Sequence, residues 1–303
     1  MRMHAVINAQ AGAIIGVDPR ESAATIKRAL SSTGHEVTVE VVQPADLMHR
    51  MAEAARPGLD VLVVGGGDGT IRSAAALLKG GTIALGILPL GTINRLARDL
   101  GLPLSLKAAA DALAHGGVHE IDVAEVNGSI FMCNSLLGLP LTYSEERQRL
   151  RGKPVLERLR GYLGVARRVL QTRRKLAIAV DDGNEQRSVR AMTLAVSNNC
   201  YAEAPGLWLT RPALDQGHLG LYIARHATAL ALAVTVLRAL FGRWRDDPNL
   251  TAIIAHKVVV KTRRPKVRLS NDGEVEEVET PLVYGIHPKA LKVLRPQPSA
   301  TTA

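Results

Sequence analysis

Val61-Leu62-Val63-Val64-Gly65-Gly66-Gly67-Asp68-Gly69-Thr70, residues 61–70, decide the fold class of this chain. An unbroken aliphatic run suits a strand buried on both faces, as in a parallel sheet covered by helices. The glycines permit a sharp turn, and a helical pattern opens at Thr70. Residues 82–94 repeat the logic, with the apolar run Thr82 to Leu88 followed by Pro89-Leu90-Gly91-Thr92-Ile93-Asn94. Two strand-turn-helix units of this kind bring main-chain N–H groups to the carboxyl ends of adjacent strands, where an α/β sheet binds phosphate.

Outward from these turns the first part alternates strand and helix. Strand patterns fall at 4–8, 36–42, 60–64 and 82–88, and helical ones at 19–32, 44–56, 70–79, 92–100 and 105–115. That alternation implies an open parallel α/β sheet over residues 1–122. Beyond Asp122 the rhythm becomes strand and turn, with runs at 130–135, 176–180, 189–197, 219–224, 257–262 and 266–269. Residues 123–285 therefore read as an antiparallel β-sandwich domain, interrupted by a basic helix at 154–172 and an apolar one at 226–241. A last segment, 286–303, reads as a strand returning to the first domain and then a disordered tail, Pro296 onward.

Composition narrows the function classes. Two cysteines, Cys133 and Cys200, are too few for a disulfide framework and fit a reducing cytoplasm. The apolar run Ala227 to Leu237 is far short of the roughly 20 residues that cross a bilayer. Asn8 and Gln10 interrupt what would have to be a signal-peptide core. Net charge is +10, and residues 147–175 hold eleven Lys and Arg against the single acid Glu157. Within that stretch Val155, Leu156, Leu159, Tyr162, Leu163, Ala166, Val169 and Leu170 recur at helical spacing, with Arg158, Arg160, Arg167 and Arg168 between them. A cationic amphipathic helix suits an anionic membrane surface, or it packs between domains with a solvated face. Trp244, between Arg243 and Arg245 and just after Phe241, is a second candidate for an interfacial anchor. Nucleic acid is disfavoured as a partner, because Tyr162 is the only aromatic in the basic stretch.

Asp68 is the odd member of the glycine turn. An acid inside a phosphate cradle would repel the ligand unless it holds Mg²⁺, directly or through water. Thr92 and Asn94 offer a hydroxyl and an amide at a helix start, or serve only as N-caps. Asp122 is a strand-end acid, and Asp272-Gly273 is equally a hairpin turn. If residues 272–274 are extended, the side chains of Asp272 and Glu274 share one face.

GGDGT at 66–70 with LGILPLGTINRLARDLGLP at 85–103 resembles the diacylglycerol kinase catalytic domain of bacterial lipid kinases, related to sphingosine and ceramide kinases and more distantly to NAD kinases. The resemblance continues through IDVAEVNG at 121–128, FMCNSLLGL at 131–139, VSNNCY at 196–201, LDQGHLGLY at 214–222 and the segment 270–296. It implies ATP bound by Asn8, Gly66, Gly67, Asp68, Gly69, Thr70, Gly91, Thr92 and Asn94. It implies Mg²⁺ organised by Asp68 and Asp122, and a general base within Asp272-Gly273-Glu274, Asp272 slightly favoured. The expected activity is transfer of the ATP γ-phosphate to the hydroxyl of a diacylglycerol, sphingoid base or ceramide, in a cytoplasmic enzyme peripheral to the inner membrane. Phosphorylation of a soluble NAD-like substrate is the alternative, and a homodimer stays open. Three positions depart from the family pattern. Arg95 stands where an acid is common, Arg72-Ser73 where Asn-Glu is, and Gln216 replaces the second acid of a metal pair, leaving Asp215 alone.

Overall fold

The computed structural model describes residues 1–138 except 13, 15 and 17, residue 157, and residues 176–297 except 184, 206–208 and 226–228. The basic helix expected at 154–172 and most of the expected tail lie outside the described residues. The chain divides into two compact units, Met1–Val123 with Lys289–Ala303, and Ala124–Pro288.

In the first unit, strands β1 (Arg2–Asn8), β2 (Glu36–Val42), β3 (Val61–Gly66) and β4 (Ala84–Pro89) form a parallel sheet in the order β2-β1-β3-β4. All six residues of β3 and of β4 are buried, which is why neither shows the alternation of a half-exposed strand. Helices α1 (Pro19–Leu30), α2 (Leu47–Ala54), α3 (Asp68–Leu78), α4 (Arg95–Asp99) and α5 (Leu106–Ala114) connect the strands. Each ladder runs in one register, Val61 to Gly66 beside Ala84 to Pro89, so the two glycine turns leave the sheet side by side.

Strands β5 (Gly117–Val126) and β16 (Leu282–Arg295) each run from one unit into the other, and Val293 of β16 pairs with Leu85 of β4. The second unit is an antiparallel β-sandwich. One sheet has the order β12-β11-β10-β7-β14-β15, with β7 Asn134–Gly138, β10 Thr193–Asn198, β11 Leu219–Ala224, β12 Leu250–Ala255, β14 Lys266–Asn271 and β15 Glu274–Glu279. The other includes β6 (Ser129–Phe131), β8 (Leu176–Asp181), β9 (Gln186–Ala191) and β13 (Lys257–Thr262) with the first half of β16. Phe131, Leu137, Ile178, Val196, Leu221, Val260 and Tyr284 meet in one core between the sheets. Tyr284 and Phe131 pack edge to face at 6.2 Å. Burial pushes the Tyr284 phenol up to about 12.

Several expected elements are corrected. The strand at 130–135 is broken at Met132 and Cys133, and that at 189–197 is broken at Met192. β15 was absent from the pattern, because four of its six residues are glutamate. The helix expected from Thr70 begins at Asp68. The apolar helix runs Ala229–Leu240, and among the described residues no helix is long and apolar enough to cross a membrane. Trp244 is no surface anchor: it is 3% exposed, edge-on to Tyr222 at 5.5 Å, with its indole N–H donating to Ala202 O. The exposed aromatic of that segment is Phe241, at 72%.

Candidate active site

Helix α3 starts as the chain leaves β3, with Gly67 as N-cap in extended backbone and Asp68 as its first residue. A negative side chain there complements the helix dipole. The N–H groups of the first turn, Gly69 and Thr70 among them, have no partners within the helix and suit an anion. Gly66 is small because the helix folds back over it: a Cβ there would stand 2.7 Å from Thr70 Cβ.

The second turn lies against the first. Leu90 N–H donates to Gly66 O at 3.1 Å, and a Cβ on Gly91 would come within 2.6 Å of Gly67 Cα. Asn94 takes the left-handed conformation at φ 55°, which asparagine tolerates. Its side chain closes the loop it ends. Oδ1 accepts from Gly91 N–H at 2.8 Å, while Nδ2 donates to Gly91 O at 2.9 Å and Pro89 O at 3.2 Å. Asn94 is 8% exposed, so its amide is committed to the loop, and Thr92 is the exposed polar side chain of this turn.

Asp68 joins the two turns. Its Oδ1 accepts from Arg95 N–H at 2.6 Å and its Oδ2 from Asn94 N–H at 3.1 Å. The acid that breaks the glycine run thus caps α4, the helix that follows the second turn, as well as standing at the head of its own. Asn8, at the end of β1, accepts from Gln10 N–H at 2.9 Å in the turn by which the chain leaves the sheet. Asp122 is fully buried and its Oδ1 accepts from Lys289 N–H at 2.8 Å. Through that bond it anchors β16. Among the described residues no three His, Cys, Asp or Glu side chains form a metal cluster. Mg²⁺ does not require one, since it commonly takes one or two carboxylates and completes its shell with water and nucleotide phosphates. Half-buried Asp68 beside unpartnered helix N–H groups suits that mode.

In the second unit, Asp272 and Gly273 form the two-residue turn between β14 and β15, both with positive φ. The extended reading of 272–274 is therefore corrected: Asp272 and Glu274 do not share a strand face. Asp272 Oδ2 accepts from Met132 N–H at 2.7 Å, and Oδ1 from Cys133 and Asn134 N–H at 2.7 and 3.0 Å. Glu274 is exposed. The carbonyl side of the same break is held by residues that the sequence did not single out. Arg211, 2% exposed, donates to Met132 O at 2.6 Å and Asn198 O at 2.8 Å, and Asn198 Nδ2 donates to Met132 O at 3.1 Å. Asn134 donates to Tyr201 Oη at 2.8 Å, and Tyr201 N–H to Tyr222 Oη at 2.9 Å. VSNNCY was visible as a motif, but no local pattern marks Arg211. Asp215 and Gln216 are exposed, with Gln216 N–H on Asn199 Oδ1 at 3.1 Å.

Comparison with known proteins agrees with this layout. Residues 2–126 match the diacylglycerol kinase catalytic domain, and residues 150–295 the YegS C-terminal NAD kinase beta sandwich-like domain. A diacylglycerol kinase of Mycobacterium tuberculosis is 30% identical over 260 residues, 83% of this chain and 82% of that protein. A probable lipid kinase YegS-like of Pseudomonas aeruginosa is 46% identical over 102 residues, and the match spans 33% of the length of each. The crystal structure of a putative diacylglycerol kinase from Bacillus anthracis superposes with a TM-score of 0.76 at 21% identity, covering 99% of this chain and 98% of that one, a likeness of fold.

Proposed function

The chain belongs to the diacylglycerol kinase catalytic domain family, and from that premise we propose that it transfers the γ-phosphate of ATP to the hydroxyl of a lipid. The observation that carries the reading is the pairing of the two turns, with Asp68 bonded across to the main chain of Asn94 and Arg95. In this reading the N–H groups at the head of α3 and the turn 89–94 receive the nucleotide phosphates. Asp68 faces the magnesium and its water, and Asp122 supports the site through the strand it anchors. Mg²⁺, when bound with the nucleotide, spreads the charge of the transferring group. Arg95 replaces an acid and brings a cation to the phosphate side.

The acceptor hydroxyl gives its proton to a carboxylate of the turn 272–274. Glu274 is the one open to solvent, while Asp272 shapes the loop beneath it. The basic stretch 147–175 holds the enzyme at an anionic surface, where a lipid acceptor resides. The NAD kinase-like sandwich does not separate lipid from soluble acceptors, because both kinds of kinase share it.

Incubating the purified chain with labelled ATP and a total lipid extract, with NAD as a parallel acceptor, tests the reading. A phosphorylated lipid identified by mass is the expected product. Phosphorylated NAD with no lipid product would replace the proposal by its rival.

A further inference from the structure

We propose that the outward face of β13, β8 and β9 binds the phosphate-bearing headgroup of an anionic phospholipid. The proposal does not depend on which hydroxyl is phosphorylated. A groove of about 400 Å³ lies on this face, lined by Ala177, Ala179, Ser188, Arg190, Lys261 and Arg263 among others. Its shape follows from strand register. Ile178 and Val180 point into the sandwich core, so Ala177 and Ala179 point out. Lys261 stands opposite Ala179, which stands opposite Ser188, and Ala177 stands opposite Arg190. Thr262 opposite Ile178 brings Arg263, the next residue, alongside Ala177. Two methyl groups thus floor a depression between long cationic side chains from both flanking strands.

Those cations are available. Arg190, Lys261 and Arg263 are exposed, and among the described residues no ion pair joins any of them to a carboxylate. The acids at the turn end of the same strands are engaged locally, Asp181 with Gly183 N–H at 2.9 Å and Glu185 with Arg187. Three cations with no carboxylate partner among the described residues, around a small apolar floor, match an amphiphile with a compact anionic head and a greasy neck. Among the described residues no aromatic side chain lines the groove, so they offer no platform for base stacking and single-stranded nucleic acid is the poorer fit.

The test is flotation of the full chain with phosphatidylcholine vesicles, alone or containing phosphatidic acid, at low and high salt. Salt-sensitive binding only to the acidic vesicles is expected, weakened about tenfold or more in K261E/R263E. The neutral K261Q/R263Q, which keeps side-chain bulk, should show a smaller loss and guards against misfolding of the double reversal. With whichever acceptor the lipid-extract assay identifies, supplied in dispersed short-chain form, K261E/R263E should turn over at the parent's rate. Equal vesicle binding by parent and both variants, or no binding by the parent, overturns the proposal. Release of the parent by millimolar inorganic phosphate would show a free-anion site, and stronger competition by a single-stranded oligonucleotide would show a nucleic-acid surface. Either also overturns it. A fall in turnover matching the fall in binding would place these residues in the phosphate-transfer site and defeat the claim of a separate one.

Discussion

Gly91→Ala and Gly67→Ala differ by one methyl group in turns that touch, yet the structure predicts opposite outcomes. A Cβ on residue 91 would stand 2.6 Å from Gly67 Cα and 2.8 Å from Asn94 Oδ1, whereas a Cβ on residue 67 would meet Gly91 Cα at 3.6 Å. The first is a collision with main chain on one side and with the loop-closing amide on the other, and the second is ordinary contact. Overpacking of this kind costs about 1–3 kcal/mol. At about 2–4 °C per kcal/mol in a domain of 150–250 residues, G91A should melt about 5 °C below the parent. Gly67 has φ −89°, which alanine adopts freely. The entropy removed from its unfolded chain offsets the weaker N-cap, leaving G67A within about 0.5 kcal/mol of the parent. If the two turns hold the nucleotide as proposed, ATP affinity, read by calorimetry, should fall with stability in G91A because they are pushed apart. If G91A melts with the parent, or G67A falls as far, close approach of the turns is not what demands glycine here.

Asp68→Ala should abolish turnover and also lower stability by about 2 kcal/mol, since the N–H groups of Asn94 and Arg95 both lose a charged acceptor; an unchanged melting temperature would refute the clamp. Asp272→Asn turns an amide toward the N–H groups of residues 132–134 and should destabilise the second unit, whereas exposed Glu274→Gln should leave melting unchanged and slow turnover at least about tenfold. Full turnover in E274Q would remove Glu274 as proton acceptor. The Tyr284 phenol is held up to about 12, against about 10 in the unfolded chain, so the folded state keeps its proton longer. Stability from this group is complete below pH 10 and is lost as pH rises to 12, a fall of about 3 kcal/mol that Tyr284→Phe should remove in urea melts across that range. Tyr222, also raised by burial, retains its share of the slope.

The elements that sequence pattern located well are those whose character is decided locally. β2, β11 and β13 have the bounds expected at 36–42, 219–224 and 257–262, because each is an apolar or alternating run closed by polar or turn residues. The failures have distant causes. Ile130 to Ser135 reads as one strand, but Asp272 takes the N–H groups of Met132, Cys133 and Asn134 while Arg211 takes the Met132 carbonyl, and no ladder can use them. β15 looks too acidic for a strand until its partner is known. Arg268 stands opposite Glu277 and Lys266 opposite Glu279, the latter pair 3.7 Å apart, so opposite charges stabilise an edge strand that is also protected from pairing with another chain. In the site, the adjacency of the two glycine turns was legible from strand order. The bonds of Asp68 across to Asn94 and Arg95 were not, because they belong to a capping geometry that only the folded backbone defines.

Asp68 and Asp272 use one device in two unrelated turns. Each places a carboxylate where both oxygens accept main-chain N–H groups from a different loop, and each loop carries residues that the phosphate-transfer reading needs. Loss of activity on removing either acid therefore cannot be read as lost chemistry alone, since the loop it holds moves as well. Substitution that keeps the charge separates the two contributions. Asp68→Glu retains the anion that magnesium would face but advances it by one methylene, so the bonds to Asn94 and Arg95 can no longer both be short. If the ionic role dominates, D68E should recover part of the turnover lost in D68A as magnesium is raised. If positioning of the second turn dominates, D68E should stay as inactive as D68A at any magnesium concentration, with amide exchange at residues 94 and 95 accelerated in both.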